Sequence, residues 1–335
     1  NETVNESYYY VGGTSAGDNN LLVITNGGVL NASAHFYGNP ENKGNNNRVV
    51  IDGSSSELNS DNDIYIGRGT NNDFTARNGA AVTVDDEFRN LQGYSNRIVF
   101  TSGATLDVPD FLGIGNDGDY NEFLFSGGAT ATIGDEIYAG SGVSGPGSYN
   151  RLTVTDDDTS LDARRFRVSY NGGSHNHWTI TSNATVTIAG TGGASYLAGS
   201  DNAINVSHGG VFDVQGTFDM IIGLGGAENN GVYVRNGGML TNGANTVIVG
   251  SGGDPDIHNE LVVEGTASEA TFNDLVVGED AGATENLVAI SNQAVVSVAN
   301  DLRVGSQAGS DSNRLLVANA SLNIGSRFYI GDDSG

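Results

Sequence analysis

A strand-like alternation of apolar and polar residues recurs along the whole chain. Each copy begins with Asn, and the residues two and four positions later are apolar. In the copy that begins at Asn259, these two positions hold Leu261 and Val263. Alternation with a period of two is typical of a β-strand that buries one face. The pattern therefore predicts one half-buried strand in every copy of the repeat.

The recurring Asn residues, called anchor asparagines below, set the length of the repeat. Twelve copies follow one another at a mean spacing of about 26.6 residues. The anchor asparagines are Asn20, Asn47, Asn72, Asn96, Asn121, Asn150, Asn176, Asn202, Asn230, Asn259, Asn286 and Asn313. Asn tolerates left-handed turn geometry, and its side-chain amide can bond the amide of the next copy. We predict that the anchors form a structural ladder.

Two further strands complete each copy. A second strand follows a Gly-Gly or Gly-Ala pair, as at Met239-Leu240, and a third ends most copies, as in Leu275-Val276-Val277-Gly278. A single copy cannot bury its apolar face alone, so the copies are expected to stack about 4.8 Å apart. The predicted fold is all-β: a parallel β-helix, or β-solenoid, with about twelve coils of about 27 residues and three short strands per coil.

The two ends of the chain lie at the same phase of the repeat. Tyr8-Tyr9-Tyr10 matches a third strand, and Phe328-Tyr329-Ile330 matches one as well. The predicted organisation is one continuous solenoid over 8–335, preceded by an N-terminal extension over 1–7. Open coil edges favour pairing with another chain, and non-closing contacts of that kind make filaments. The pattern fits either a piece of a longer array or subunits that stack head to tail.

Composition narrows the classes of partner. The formal net charge is -26, the chain has 14 basic residues, and it has no cysteine. Such a chain repels nucleic acid and anionic membranes, so we expect no nucleic-acid partner. No apolar run approaches the length of a membrane span, so we expect no membrane insertion. Disulfides and Cys-based metal chemistry are excluded.

Acidic residues recur just before the third strand, including Asp63, Glu87, Asp110 and Glu136. Asp commonly stabilises turns by accepting backbone N–H groups, which gives the column a structural interpretation. Stacked like charges about 4.8 Å apart repel by roughly 0.9 kcal/mol even in water. Ca²⁺ accepts carboxylate oxygens readily and would relieve this repulsion. The four acids are therefore also a candidate Ca²⁺ site, although the fold requires no cofactor.

Aromatic and apolar residues recur at the predicted outward position of the third strand. They include Tyr10, Phe36, Tyr65, Tyr138, Leu197 and Tyr329. Three interpretations stay open: ordinary β-propensity, a lateral interface, or tyrosines that stack on sugars. Tyr10, Tyr65, Tyr138 and Tyr329 form the candidate assembly face, whose partner is a second copy or a surface glycan.

The densest set of potential catalytic groups is Asp156, Asp157 and Asp158 beside Arg164, Arg165 and Arg167. A catalytic pair of carboxylates needs partners on adjacent coils of one face, and no partner is evident for this set. A solvated turn is the simpler interpretation. We therefore expect no enzyme activity.

The string Asn-x-Leu-x-Val-x-x-Gly-Gly-x-Leu followed by Leu-x-Ile-Gly resembles the repeat shared by autotransporter (type V secretion) passengers and exosortase-sorted bacterial surface proteins. The resemblance extends from Tyr8 to Gly331. It implies export, a parallel β-helix, a location outside the cell or on a bacterial cell surface, and no shared catalytic residues. The expected function is a secreted structural protein, the subunit of an extracellular filament or surface layer built by end-to-end stacking. The alternative is a stalk or passenger segment of a cell-surface adhesin that binds glycans.

Overall fold

The chain is all-β. A computed structural model describes residues 2–12, 17–37, 44–140, 147–169, 172–191, 193–252 and 256–331. Every regular element in these ranges is a β-strand. The described residues include no helix that is long and apolar enough to cross a membrane. The strands are parallel and stacked in a β-solenoid of about twelve coils. The predicted fold class is therefore confirmed.

The chain divides into two compact units, Asn1–Ala163 and Arg164–Gly335. Each unit contains six of the strands that follow an anchor asparagine, called first strands below. In the first unit they are Leu21–Thr25, Arg48–Asp52, Asp73–Arg77, Arg97–Thr101, Glu122–Phe125 and Arg151–Thr155. In the second unit they are His177–Thr181, Ala203–Ser207, Gly231–Arg235, Glu260–Glu264, Leu287–Ser291 and Arg314–Ala318.

The other strands continue each coil. In the first unit they are Thr3–Tyr10, Val29–Tyr37, Glu57–Ser60, Ile64–Ile66, Ala81–Val84, Phe88–Leu91, Thr105–Val108, Phe111–Asn116, Thr130–Ala139 and the part of Ser160–Val168 up to Ala163. In the second unit they are Thr185–Ile188, Ser195–Ser200, Val211–Val214, Met220–Glu228, Met239–Ser251, Asp256–Ile257, Glu269–Val277, Ala283–Thr284, Val295–Val298, Leu302–Val304, Ser321–Ile324 and Phe328–Ile330. The predicted second and third strands run together where no turn separates them, as in Glu269–Val277.

Equivalent residues of successive coils lie in register. Val232, for example, pairs with Leu261, which pairs with Val288. The apolar residues two and four positions after each anchor point inward, so each coil adds one rung to continuous interior columns. Full burial of one such aliphatic side chain stabilises the fold by about 1.5–3 kcal/mol. Because a shift of one residue would turn these side chains outward, burial fixes the register.

Aromatic side chains fill the widest parts of both interiors. In the first unit Phe74, Phe88 and Phe100 are fully buried and meet with ring centroids 5.4–6.1 Å apart. In the second unit Phe166 packs against Trp178 at 5.6 Å and Phe212 at 5.3 Å. Tilted and edge-on ring pairs at these distances add to the stability that burial provides.

One strand boundary and the orientation of two side chains differ from the sequence prediction. Thr3–Tyr10 is one strand that pairs with Val29–Tyr37, so the sheet begins before the boundary predicted after Ser7. Phe36 and Leu197 are in the core with no exposed surface, and the outward positions belong to Tyr37 and Tyr196. The prediction that Phe36 and Leu197 face outward is wrong because turn lengths vary and shift the alternation by one residue.

Candidate functional site

The anchor asparagines form a hydrogen-bonded ladder in each unit. The backbone N–H and the side-chain Nδ2 of Asn96 both donate to Oδ1 of Asn121 at 3.1 Å. Asn121 repeats both bonds to Asn150 at 3.0 Å and donates its other Nδ2 hydrogen to the Gly93 carbonyl at 3.0 Å. Asn121 has no exposed surface. The side-chain amide is thus fully satisfied by the coils on either side.

The second unit repeats the same geometry. Asn230 donates through its N–H and its Nδ2 to Oδ1 of Asn259, both at 3.1 Å. Asn259 does so toward Asn286 at 3.0 and 3.1 Å. Buried polar groups cost stability unless they are hydrogen-bonded. This ladder therefore lets an invariant polar residue sit inside every coil.

The backbone beside the anchors explains two other features of the repeat. The residue before each anchor has φ between 56° and 60°, whereas no anchor has a positive φ. The left-handed residue is therefore the one before the anchor, and not the anchor itself as predicted. The Gly that ends many third strands lies against an anchor: a Cβ on Gly250 would be 2.3 Å from Nδ2 of Asn286. Only Gly leaves room for the ladder there.

The acidic column supplies a second set of contacts between coils. Oδ1 of Asp219 accepts the N–H of Thr246 at 3.2 Å, and Oδ1 of Asp274 accepts the N–H of Asp301 at 3.1 Å. In the first unit Oδ1 of Asp63 accepts the N–H of Glu87 at 3.3 Å. These bonds support the structural interpretation, since the carboxylates hold the backbone of the following coil.

The four predicted Ca²⁺ ligands occupy different surroundings. Asp63 is buried, and its Oδ2 accepts the Tyr65 hydroxyl at 2.7 Å. Glu136 is buried as well. Among the described residues, the group of three carboxylates whose oxygens lie within 4.8 Å of one another is Asp86, Glu87 and Asp110. The structure thus brings together two of the predicted ligands and adds Asp86, which the sequence analysis missed.

This acidic trio is partly compensated by a cation. Glu87 forms an ion pair with Arg89, which lies two residues later on the strand Phe88–Leu91. Burial is the main cause of the raised pKa of Glu87, and the Arg89 guanidinium opposes it. Burial, Asp86 and Asp135 together raise the pKa of Asp110. Oxygen ligands of this kind suit a hard cation, and Ca²⁺ binding at the trio stays a prediction.

The raised pKa of Asp110 gives a testable pH dependence. The folded protein binds this proton more readily than the unfolded chain, so the contribution of Asp110 to stability falls as pH rises through the folded-state pKa. We expect Asp110→Asn to raise the unfolding temperature at pH 7, with a smaller difference from wild type as pH falls toward the ordinary Asp value of 3.8. Asp107→Asn, an exposed acid on the preceding strand, is the charge control. Equal differences at both pH values would contradict the expectation.

The four tyrosines of the candidate assembly face do not form one continuous column in the structure. Tyr10 stacks on Tyr37 with ring centroids 5.0 Å apart, and Tyr37 stacks on Tyr65 at 5.5 Å. Both faces of Tyr37 are therefore turned toward neighbouring rings, and Tyr10 and Tyr65 each turn one face toward Tyr37. The Tyr65 hydroxyl is engaged by the buried Asp63. A sugar that stacks on an open aromatic face finds few such faces in this tyrosine column.

Tyr138 and Tyr329 lie apart from that column. Arg89 and Gly113 occupy the next two positions after Tyr65, and Tyr138 follows them. The Tyr138 ring covers Gly113, since a Cβ there would be 2.7 Å from its hydroxyl oxygen. Tyr329 belongs to the second unit, where its hydroxyl oxygen accepts a bond from Arg327 at 2.9 Å.

A row of alternating charges on the outer face of the first strands was not predicted. Arg48, Asp73, Arg97 and Glu122 occupy equivalent positions in four successive coils. Arg48 Nε lies 3.6 Å from Asp73, and Arg97 Nε lies 3.3 Å from Glu122. We call these four residues the charge ladder. Each residue directly follows an anchor, so the sequence carried the signal, which appears only when the copies are aligned.

The aspartates of the possible catalytic set have a structural role. Asp156 and Asp158 have positive φ in the turn after Arg151–Thr155, and Asp156 accepts the N–H of Gly127 at 3.1 Å. Arg164, Arg165 and Arg167 belong to the second unit. The expectation that the chain is not an enzyme stays a prediction.

Comparisons with known proteins add no relative. No family model, no curated protein and no solved structure matches the chain. The resemblance to autotransporter passengers and exosortase-sorted surface proteins therefore stays a prediction, and the β-solenoid fold is the classification that the structure supports.

Proposed function

We propose that the chain is a secreted structural protein whose coils stack end to end into an extracellular filament or surface layer. The observation that carries the proposal is the match between the third-strand edges of the first and last described coils. Tyr9 pairs with Phe36 at the interior third-strand position of the first unit, and Phe328 pairs with Leu302 at the equivalent position of the second unit. Tyr10 and Tyr329 occupy the outward position beside them.

An end-to-end junction continues these columns. With Tyr9 over Phe328, Tyr10 lies over Tyr329, as it lies over Tyr37 within the chain. The exposed fraction of Phe328 is 48% and that of Tyr10 is 37%. Covering these rings removes apolar surface from water, which favours association. The proposed partner is thus a second copy of the chain, and the extracellular location is part of the same proposal.

The same register leaves room in the junction for one further strand. In this register the second and third strands of one copy's last coil pair with the strand Thr3–Tyr10 of the next copy. In the sheet of first strands, Arg314–Ala318 and the next copy's Leu21–Thr25 are then separated by the space of one strand. A strand from another chain would complete the sheet. Strand addition at an open edge is a common mode of recognition.

Two substitutions test the junction in opposite directions. Phe328→Asp places a carboxylate in the interior column and is expected to abolish association, because it removes an apolar ring and buries a second unpaired charge in addition to Glu6. Glu6 pairs with Ala32, a core position, so Glu6 faces the junction interior. Glu6→Leu is expected to strengthen association.

Light scattering against protein concentration measures both effects. Met239→Asp is the matched control, since Met239 is 38% exposed and lies away from both coil edges. Association of Phe328→Asp at the wild-type concentration would contradict end-to-end stacking. It would leave the alternative, a stalk or passenger segment of an adhesin.

The glycan-binding form of that alternative receives less support. In addition to the tyrosine column, the exposed Tyr120 and Tyr149 rings stack on each other with centroids 4.8 Å apart and an interplanar angle of 6°. One face of each of these two rings is therefore occupied by the other ring. No reaction is part of the proposed function.

A further inference from the structure

The charge ladder lies on a face that differs in charge from the rest of the chain. The outward positions of the first strands of the first unit hold four arginines and three acids, whereas the whole chain has a net charge of -26. The seven residues are Arg48, Arg77, Arg97, Arg151, Asp52, Asp73 and Glu122. Copies of so acidic a protein repel each other over most of their surfaces. This face is the exception, because its charges are balanced.

The centre of this face is already nearly buried in the single chain. Val50, Thr75 and Val99 point outward between the two rows of charge, with exposed fractions of 6%, 9% and 5%. On the far side of this column Arg77 pairs with Asp52 at 2.7 Å. The charged rows at its rim are therefore the part of this face that a partner would contact. The charged side chains of the rim remain accessible, with exposed side-chain fractions of 54% for Arg48 and 41% for Glu122.

The order of charges makes the ladder complementary to an inverted copy of itself. Successive coils carry positive, negative, positive and negative groups. A two-fold axis across the sheet, midway between the coils of Asp73 and Arg97, inverts this order in the partner. Arg48 then faces Glu122 of the second copy, and Asp73 faces Arg97 of the second copy. Every charge of the ladder meets an opposite charge, as an isologous interface requires.

We infer that this face binds the same face of a second copy, side by side and in opposite directions. The contact rests on the self-assembling role proposed above, but it uses a different surface from the coil edges. Sheets pack face to face about 10 Å apart, a distance that long Arg and Glu side chains span. Lateral pairs of this kind would join neighbouring filaments into a layer.

An inverted ladder tests the pairing directly. The quadruple variant Arg48→Glu, Asp73→Arg, Arg97→Glu, Glu122→Arg keeps the alternation within each chain and the net charge. It is expected to pair with itself as wild type does. In a mixture, wild type and variant are expected to form mixed pairs at least about tenfold more weakly than like pairs, because every cross-contact then joins like charges.

The experiment uses the Phe328→Asp background, so that end-to-end stacking does not contribute. Two fluorescent labels report mixed pairs by energy transfer, and sedimentation reports like pairs. Circular dichroism confirms that each chain is folded. If the inverted variant does not fold, Asp73→Asn with Arg97→Gln removes the central charges with little change of shape and should weaken pairing about tenfold. Mixed pairs as strong as like pairs, or no pairing of wild type in this background, would overturn the inference without bearing on the coil edges.

Discussion

Asn121→Ala is expected to lower the free energy of unfolding by about 4 kcal/mol. The substitution removes the acceptor of both bonds from Asn96 and the donor to the Gly93 carbonyl. These groups lie in the interior, where water cannot replace the lost partner, and each unsatisfied group costs about 1–3 kcal/mol. Urea unfolding followed by circular dichroism measures the change.

Asn300→Ala is the matched control for this prediction. Asn300 also donates to an Asn of the preceding coil, Asn273, at 3.0 Å, but the bond is exposed to solvent. We expect a change within about 0.5 kcal/mol there. A loss of less than 1 kcal/mol at Asn121 would mean that the ladder is not a principal source of stability.

Asn90→Val is expected to raise the free energy of unfolding by about 2 kcal/mol. Asn90 is fully buried, and neither its Nδ2 nor its Oδ1 has a hydrogen-bond partner. Ile66 occupies the equivalent interior position one coil earlier. Valine removes the cost of burying an unsatisfied amide and fits an apolar column. The same unfolding experiment measures the gain.

Ile66→Val controls for the volume of the side chain at this column, and is expected to cost about 0.5–1.5 kcal/mol. Opposite signs at two adjacent positions would show that polarity, rather than size, determines the effect at Asn90. Destabilisation by Asn90→Val would contradict the account, and would mean that Asn90 has a partner such as a buried water.

Most of the fold could be predicted from one chain because the repeat samples the same geometry twelve times. The inward positions two and four residues after each anchor follow directly from alternation, as at Leu261 and Val263. The third strand was less predictable, since the number of residues before it varies between coils. Phe36 and Tyr37 show the consequence: each is a plausible core residue by type, and only the pairing with Tyr9 and Tyr10 decides between them.

The position of the asparagine ladder was predictable from the sequence, but its hydrogen-bond pattern was not. Twelve aligned anchors indicated a stack of amides, whereas the use of both the N–H and Nδ2 toward one oxygen depends on coil geometry. The meeting of Asp86 with Asp110 depends on how turns of different lengths approach each other, which alternation does not encode. Asn90 broke the apolar pattern at an interior position, and its isolation becomes visible only when its neighbours are known.

Electron microscopy of the 335-residue chain tests the central claim most directly. Negatively stained samples are prepared over a range of concentrations, in chelator and again with Ca²⁺. The account predicts fibres of uniform width, absent from Phe328→Asp and more abundant for Glu6→Leu. Separate particles at every concentration, with wild type and both variants alike, would contradict assembly through the coil edges and favour the adhesin stalk.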